Sequence, residues 1–276
     1  MREQGIYANI DIDEYHAEAG ISSSGITLIL DCPKRYWHEY LVKQEIDVRE
    51  AKKQRDKYKL GRAAHMLILE PVKFNNTFYV MSEDVNLTTK IGKEAYAAAE
   101  LEAKGRDIIR TGDWKEIEAM AASVGSHVVW NAIKGGKVEH SIYWNGGVCK
   151  TALRARPDVF TDELIIDIKT TESINAFAKS IAQYGYHRQA AMQVDGLKAI
   201  DGKERYFAYF VIEKKAPYLT ACFALDDISL EQGRREYLDG AALYSDCLKN
   251  NNWPGYEDKF QVISLPKWAM KEELAA

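Results

Sequence analysis

The chain has 276 residues, 46% of them hydrophobic and 28% charged, with a formal net charge of −4 and a pI near 5.9. Such a composition fits a soluble globular protein with a substantial core, and its acidic balance carries no overall nucleic-acid signature, although basic residues can still concentrate locally. No apolar run approaches the length that spans a bilayer and none follows Met1, so a cytoplasmic protein with no membrane association is expected.

Ser22-Ser23-Ser24 offers an N-cap for a short helix through Leu30. Pro33 opens a second helical segment, Lys34 to Val42, carrying Tyr36, Trp37 and Tyr40. Between Arg49 and Arg62, Lys52, Lys53, Arg55, Lys57 and Lys59 stand against only Glu50 and Asp56. That run reads either as a solvated linker or helix face or as a contact to a DNA backbone. Gly61 to Leu69 reads as a helix ended before Pro71, and the Ala- and Glu-rich stretches Gly92 to Lys104 and Asp113 to Ile133 read as two more.

The texture then changes. Lys137 to Trp144 alternates, Asn145-Gly146-Gly147 accepts positive φ, and Cys149 to Phe160 alternates again, which predicts a β-hairpin. Glu163 to Thr170 is a third strand, and Ser173 to Ile200 is mostly helical with a break near Gly185. Tyr206 to Val211 and Tyr218 to Ala224 are two more strands, and Asp227 to Lys249 is a long closing helix. No repeat or Pro/Gly-rich linker divides the chain. One domain is expected, with a helical part at about 1–135, a core at about 136–225 and a C-terminal helical segment at about 226–276. The order implies an α/β sandwich around a mixed sheet.

Chemistry is concentrated in Arg156-Pro157-Asp158 and Ile166-Asp167-Ile168-Lys169. Side chains on a strand alternate, so Asp167 and Lys169 leave one face while Leu164, Ile166 and Ile168 leave the other. If the strand carrying Asp158 lies alongside, two carboxylates and one ammonium converge within reach of one scissile phosphate. Unpaired charge in an apolar strand is expensive to bury, and a divalent metal between the aspartates would compensate. The bland alternative is a turn followed by a solvated strand edge. Glu139, on the first hairpin strand, either binds a second metal, supports the ligands of the first, or faces water. His65 sits in the apolar run Ala63 to Leu67, where a lone histidine is commonly a satisfied core residue. Cys32, Cys149, Cys222 and Cys247 are widely separated and suggest neither a zinc site nor a disulfide framework. No dinucleotide-binding, P-loop, nucleophile-elbow or zincin motif is present.

Several stretches occur in one order: Asp13 to His16, Ile21 to Ser24, Cys32-Pro33, Gly61 to His65, Glu139, Arg156 to Asp158, Asp167 to Lys169 and Tyr186 to Gln189. Spanning roughly Asp13 to Gly196, the set resembles the RecE (exonuclease VIII) type of phage recombination exonuclease, in the RecB-like branch of the PD-(D/E)XK nuclease superfamily. The resemblance implies a PD-(D/E)XK, restriction-endonuclease-like α/β core with a mixed central sheet flanked by helices. It also implies His65, Asp158, Asp167 and the Ile168 backbone carbonyl as metal ligands and Lys169 as the catalytic lysine. Mg²⁺ suits such oxygen donors, and the softer imidazole suggests that Mn²⁺ substitutes. Gln189 is implied to position phosphate or water, while Gln193 stands where relatives carry tyrosine. Tyr186 and Arg156 are further DNA-contact candidates, and Lys34 and Arg35 are candidates for a 5′-phosphate pocket. The activity implied is 5′-to-3′ digestion of linear double-stranded DNA, leaving 3′ tails for recombination. A homo-oligomeric ring and a RecT-like annealing partner come with the same resemblance. An endonuclease on the same fold and an inactive DNA-binding accessory protein are the alternatives.

Overall fold

A computed structural model of the chain describes residues 2–42, 56, 58–146, 150–256, 259–260 and 262–266. In chain order the elements are β1 (Gly5–Tyr7), α1 (Ile12–Ala17), α2 (Ser23–Asp31), α3 (Pro33–Tyr36) running into a π-helical turn (Trp37–Leu41), α4 (Lys59–Leu69) and α5 (Pro71–Thr77). There follow β2 (Phe78–Val80), α6 (Lys90–Ala103), β3 (Asp107–Ile109), α7 (Thr111–Gly125), α8 (Trp130–Gly135), β4 (Lys137–Val138), β5 (Ser141–Gly146), β6 (Thr151–Ala155), β7 (Val159–Phe160) and β8 (Leu164–Thr171). The chain continues through α9 (Phe177–Tyr184), α10 (Tyr186–Asp201), β9 (Tyr206–Glu213), β10 (Thr220–Ala224) and α11 (Asp227–Asn250). Side-chain caps begin several helices: Ser22 accepts from the Gly25 N–H, Thr89 from Gly92 and Asp226 from Ser229.

Strands β10-β9-β8-β7-β4 form a mixed five-stranded sheet, in which β8 and β9 are parallel and the other neighbours antiparallel. Parallel neighbours need a long crossover, and α9 and α10 supply it. The alternation read in β8 is realised on both faces. Ile165, Tyr209 and Val211 pack with α2, α10 and α11, whereas Ile166, Ile168, Phe210 and Ile212 pack with α4 and α7. The sheet is therefore the middle layer between two apolar cores. Tyr36 stacks on Tyr40 and Trp253, with ring centroids 4.9 and 5.8 Å apart, so this aromatic helix and the chain around Trp253 close one of these cores together.

Several expectations need correction. The hairpin from Lys137 to Phe160 is divided between two sheets. Its outer half, β5 and β6, pairs from Ile142↔Ala155 to Gly146↔Thr151 in a separate antiparallel sheet of order β1-β5-β6, while β4 and β7 join the five-stranded sheet. Both strands break at one level. Pro157 has no N–H to donate to a ladder, Glu139 takes a left-handed φ of 50°, and the Glu139 N–H donates to the Asp158 carbonyl over 2.9 Å. The helix expected from Asp113 to Ile133 stops at Gly125 and resumes at Trp130. There the His127 ring packs against Phe210 and its Nδ1 accepts the Val129 N–H, so the backbone is satisfied outside a helix. Pro71 starts α5 instead of only ending α4, as its fixed φ and missing N–H allow at a first helical position. The helical N-terminal part also contributes β1 and the short parallel pair β2–β3. Tyr218 adopts a φ of 57° and lies before the last strand, which begins at Thr220.

Cys32 and Cys247 are buried, Cys222 is exposed, and all three are free thiols. Cys149 and the basic residues Lys52, Lys53, Arg55 and Lys57 lie outside the described residues. At the end of that basic run Lys59 donates to the Ile108 carbonyl and Arg62 pairs with Asp107. Among the described residues no helix is long and apolar enough to cross a membrane.

Helices α10 and α11 meet at Gly233, where a Cβ would lie 2.2 Å from the His187 carbonyl oxygen. Backbone cannot yield as a flexible side chain does, so Gly233→Ala should destabilise the fold by about 1–3 kcal/mol. The expected readout is a melting temperature lower by about 2–10 °C; an unchanged melt would show that the two helices are not held at this distance.

Candidate functional site

The charged pair on β8 lies on the face turned towards α10. Asp167 is fully buried, and its Oδ2 forms an ion pair with Lys169 without accepting a well-directed hydrogen bond. Its Oδ1 accepts from Gln189 Nε2 over 2.7 Å. Gln189 stands one turn into α10, and Tyr186, at the start of that helix, places its ring 4.8 Å from the Lys169 ammonium. One helix terminus thereby holds both charges of the strand, a cation–π contact on one and a hydrogen bond on the other.

The second half of the site arises where β7 begins. Asp158 lies just before the ladder, and its Oδ2 accepts the Ile168 N–H over 2.7 Å. A strand residue sends its N–H and C=O to the same side, so the Ile168 carbonyl also points to the Asp158 side of β8. From the other layer, α4 brings His65 Nε2 to 2.9 Å from Asp158 Oδ2, with Nδ1 3.8 Å from Glu139 Oε1. Glu139 reaches this point through the break between β4 and β5. Its other oxygen pairs with Arg156 Nε at 2.8 Å, while Arg156 Nη2 donates to the Ile10 carbonyl over 3.1 Å. Tyr15 completes the support, with Arg154 and Arg156 stacked 4.8 and 5.8 Å from its ring.

Electrostatics follow from this crowding. Burial and then the repulsion of Asp158 push Glu139 up to about 7, against the pull of His65 and Arg156. Burial also raises Asp167, to about 6, with Lys169 opposing the rise and Asp158 adding to it. Burial disfavours the His65 imidazolium, but Asp158, Glu139 and Asp167 together outweigh it and lift His65 to about 9. Asp158 moves down because His65 and Lys169 overcome its burial, and Lys169 moves up because Asp167 and Asp158 overcome its own.

One donor atom from each of His65, Glu139 and Asp158 lies within 4.8 Å of the others, a set that could hold a metal ion. Carboxylate oxygens beside one imidazole suit Mg²⁺ or Mn²⁺. The buried carboxylates, crowded enough to hold protons near neutrality, fit a cation better than they fit one another.

The sequence-predicted residues His65, Glu139, Asp158, Asp167, Ile168, Lys169, Tyr186 and Gln189 thus surround one point of the sheet. Arg156 faces inward, against Glu139. Lys34 and Arg35 line a different groove, with Leu28, Cys32, His38, Glu39 and Trp253–Tyr256, that includes none of those residues; Arg35 pairs there with Asp31 and lies over Tyr256. Gln193 is buried one turn beyond Gln189. Sequence reasoning did not assign a supporting role to Tyr15 or to the Ile10 carbonyl. The only signal was the appearance of Asp13-Glu14-Tyr15-His16 among the ordered stretches.

Residues 22–266 match the family described as a PDDEXK-like domain of unknown function (DUF3799). Comparison with curated proteins finds no match. Among solved structures, a candidate exonuclease from Eubacterium rectale is similar over 92% of each chain, with a TM-score of 0.56 at 13% identity. A phage-related exonuclease from Haemophilus somnus 129PT matches 85% of this chain and 97% of its own, with a TM-score of 0.29 at 11% identity. An alkaline exonuclease from Laribacter hongkongensis matches 68% and 91%, with a TM-score of 0.27 at 14% identity.

Glu139 and His65 hold protons above their ordinary values of 4.5 and 6.5. The stability each contributes is therefore complete below its ordinary value and is lost as pH rises through about 7 for Glu139 and about 9 for His65. Asp158 has the opposite sign, losing its contribution only as pH falls below the ordinary carboxylate range. Calorimetry in EDTA should show a falling melting temperature from about pH 6 to about pH 9. Mn²⁺ should raise the melting temperature more at the alkaline end, because ligands must lose their protons to bind it. A Mn²⁺ effect independent of pH would exclude these groups as ligands.

Proposed function

Because the chain belongs to the PDDEXK-like family, we propose that it is a metal-dependent deoxyribonuclease that hydrolyses phosphodiester bonds of linear double-stranded DNA. The convergence of His65, Glu139 and Asp158 beside the Asp167–Lys169 pair carries this reading. His65, Asp158, Asp167 and the Ile168 carbonyl, joined by Glu139, would hold the cation. A divalent ion bound there supplies Lewis acidity towards the phosphoryl oxygen and the attacking water.

The chain's own groups supply the rest. Lys169 carries a compact ammonium that orients the water and stabilises charge developing on the phosphate. Tyr186 and Asp167 hold that ammonium in place, and Gln189 fixes Asp167. Arg156 steadies Glu139 against the repulsion of Asp158. With a histidine among the ligands, Mn²⁺ should support the reaction as well as Mg²⁺.

The resemblance to RecE-type exonucleases supports the finer reading: digestion from 5′ ends, 3′ single-stranded tails, a ring-shaped homo-oligomer enclosing DNA and transfer of the tail to a RecT-like annealing protein. Polarity and mode are open to direct measurement. Linear duplex DNA labelled at the 5′ end or internally is incubated beside a closed circle, in Mg²⁺ or EDTA. Early release of the 5′ label with the circle intact is expected, and a cut circle would assign an endonuclease instead. Lys169→Ala should lower cleavage by at least about 100-fold while leaving DNA binding measurable, because it removes transition-state stabilisation. Near-wild-type cleavage by that variant would remove Lys169 from the mechanism.

A further inference from the structure

Two tyrosines flank Gly185 beside the Lys169 ammonium. Tyr186 covers the Lys169 ammonium, and the Tyr184 ring follows 5.6 Å away at an interplanar angle of 35°. Tyr184 is 56% exposed and Tyr58 61% exposed. Gly185 makes the arrangement possible. Its φ of 67° ends α9 and begins α10 at once, which brings the rings on either side of it together. On the opposite layer, Gly61 lies so close to β8 that a Cβ would be 2.9 Å from Thr170 Oγ1. Tyr58, three residues before Gly61, is thereby carried beside the end of the strand that bears Lys169, within electrostatic reach of Tyr186.

A single exposed tyrosine on a surface requires no explanation. Here the exposed Tyr184 ring lies beside Tyr186, whose own ring meets the ammonium, so aromatic surface runs outward from the reactive group. Such a surface fits a planar ring, and every nucleobase has a π-face to offer it.

We propose that Tyr184 stacks on an unpaired nucleobase of the DNA strand being cut, so that the protein favours ends whose terminal bases are frayed or single-stranded. The inference rests on the nuclease reading given above and deepens it by naming the form of the substrate. A phosphate can reach Lys169 from a duplex end more readily once its base has left the stack, and Tyr184 gives the displaced base a new partner. Stacking reads the ring and not its hydrogen-bonding edge, so selection by base identity is not expected.

The test uses duplexes that differ only in the last two nucleotides of the strand to be cut: paired, mismatched or abasic. Each is given to the wild type, Tyr184→Ala and Tyr184→Phe. On the mismatched end Tyr184→Ala should weaken binding by about 5- to 150-fold, whereas Tyr184→Phe retains the ring and stays near wild type. On the abasic end the three proteins should be alike. With 2-aminopurine as the unpaired base, the wild type and Tyr184→Phe should quench its fluorescence and Tyr184→Ala should not. Equal losses on mismatched and abasic ends, or no loss on either, would overturn the stacking subsite while cleavage by the wild type leaves the nuclease reading standing. If quenching is unchanged and Tyr184→Ala instead alters the oligomeric state in light scattering, the rings belong to a contact between copies and the proposal fails. If the wild type cleaves none of these DNAs, the nuclease reading itself fails and the subsite with it.

Discussion

The structure turns on three carboxylates gathered where two sheets part. Glu139, Asp158 and Asp167 cannot share this nearly dry volume as bare anions, since each ion taken from water costs several kcal/mol even after relaxation. Everything nearby answers that constraint. Lys169 pairs with Asp167, His65 with Asp158 and Arg156 with Glu139. Burial, with the repulsion of Asp158 added to it, still appears as raised proton affinity at Glu139 and Asp167. The same balance would let a divalent cation displace protons near neutral pH, as the proposed function requires.

The surrounding elements hold these partners at fixed distances. From one layer α4 supplies His65, and from the other α10 supplies Tyr186 and Gln189, with the sheet between the two layers. The N-terminal segment acts at greater range. Tyr15 and the Ile10 carbonyl support Arg156, and Arg156 supports Glu139, so α1 is tied to the ligand group through one guanidinium. Arginine suits this task because its planar fork can stack and donate at once.

Short strands shape the candidate site as well. Strand β7 has only two residues, and its late start leaves the Ile168 N–H for the Asp158 carboxylate. A longer β7 would use that donor in the ladder and direct the aspartate elsewhere. The left-handed backbone of Glu139 serves the same end, turning its side chain in towards His65 as the strand passes from one sheet to the other.

Much of this was legible in the sequence, because alternation is local. Asp167 and Lys169 on one face of β8, with Leu164, Ile166 and Ile168 on the other, follow from a period of two, and the long closing helix and the break at Gly185 follow from equally local signals. The ordered stretches also brought His65, Asp158 and Gln189 into one expectation. Only the tertiary structure decided what lies between distant segments. Periodicity cannot say that a hairpin will divide between two sheets, since each half alternates correctly in either sheet; Pro157 and the packing of the two cores settle that. Nor can it tell whether Glu139 faces water or a histidine 74 positions earlier in the chain, as burial and proximity are properties of the assembled layers. The charges of the candidate site were written locally, and their convergence was decided by packing.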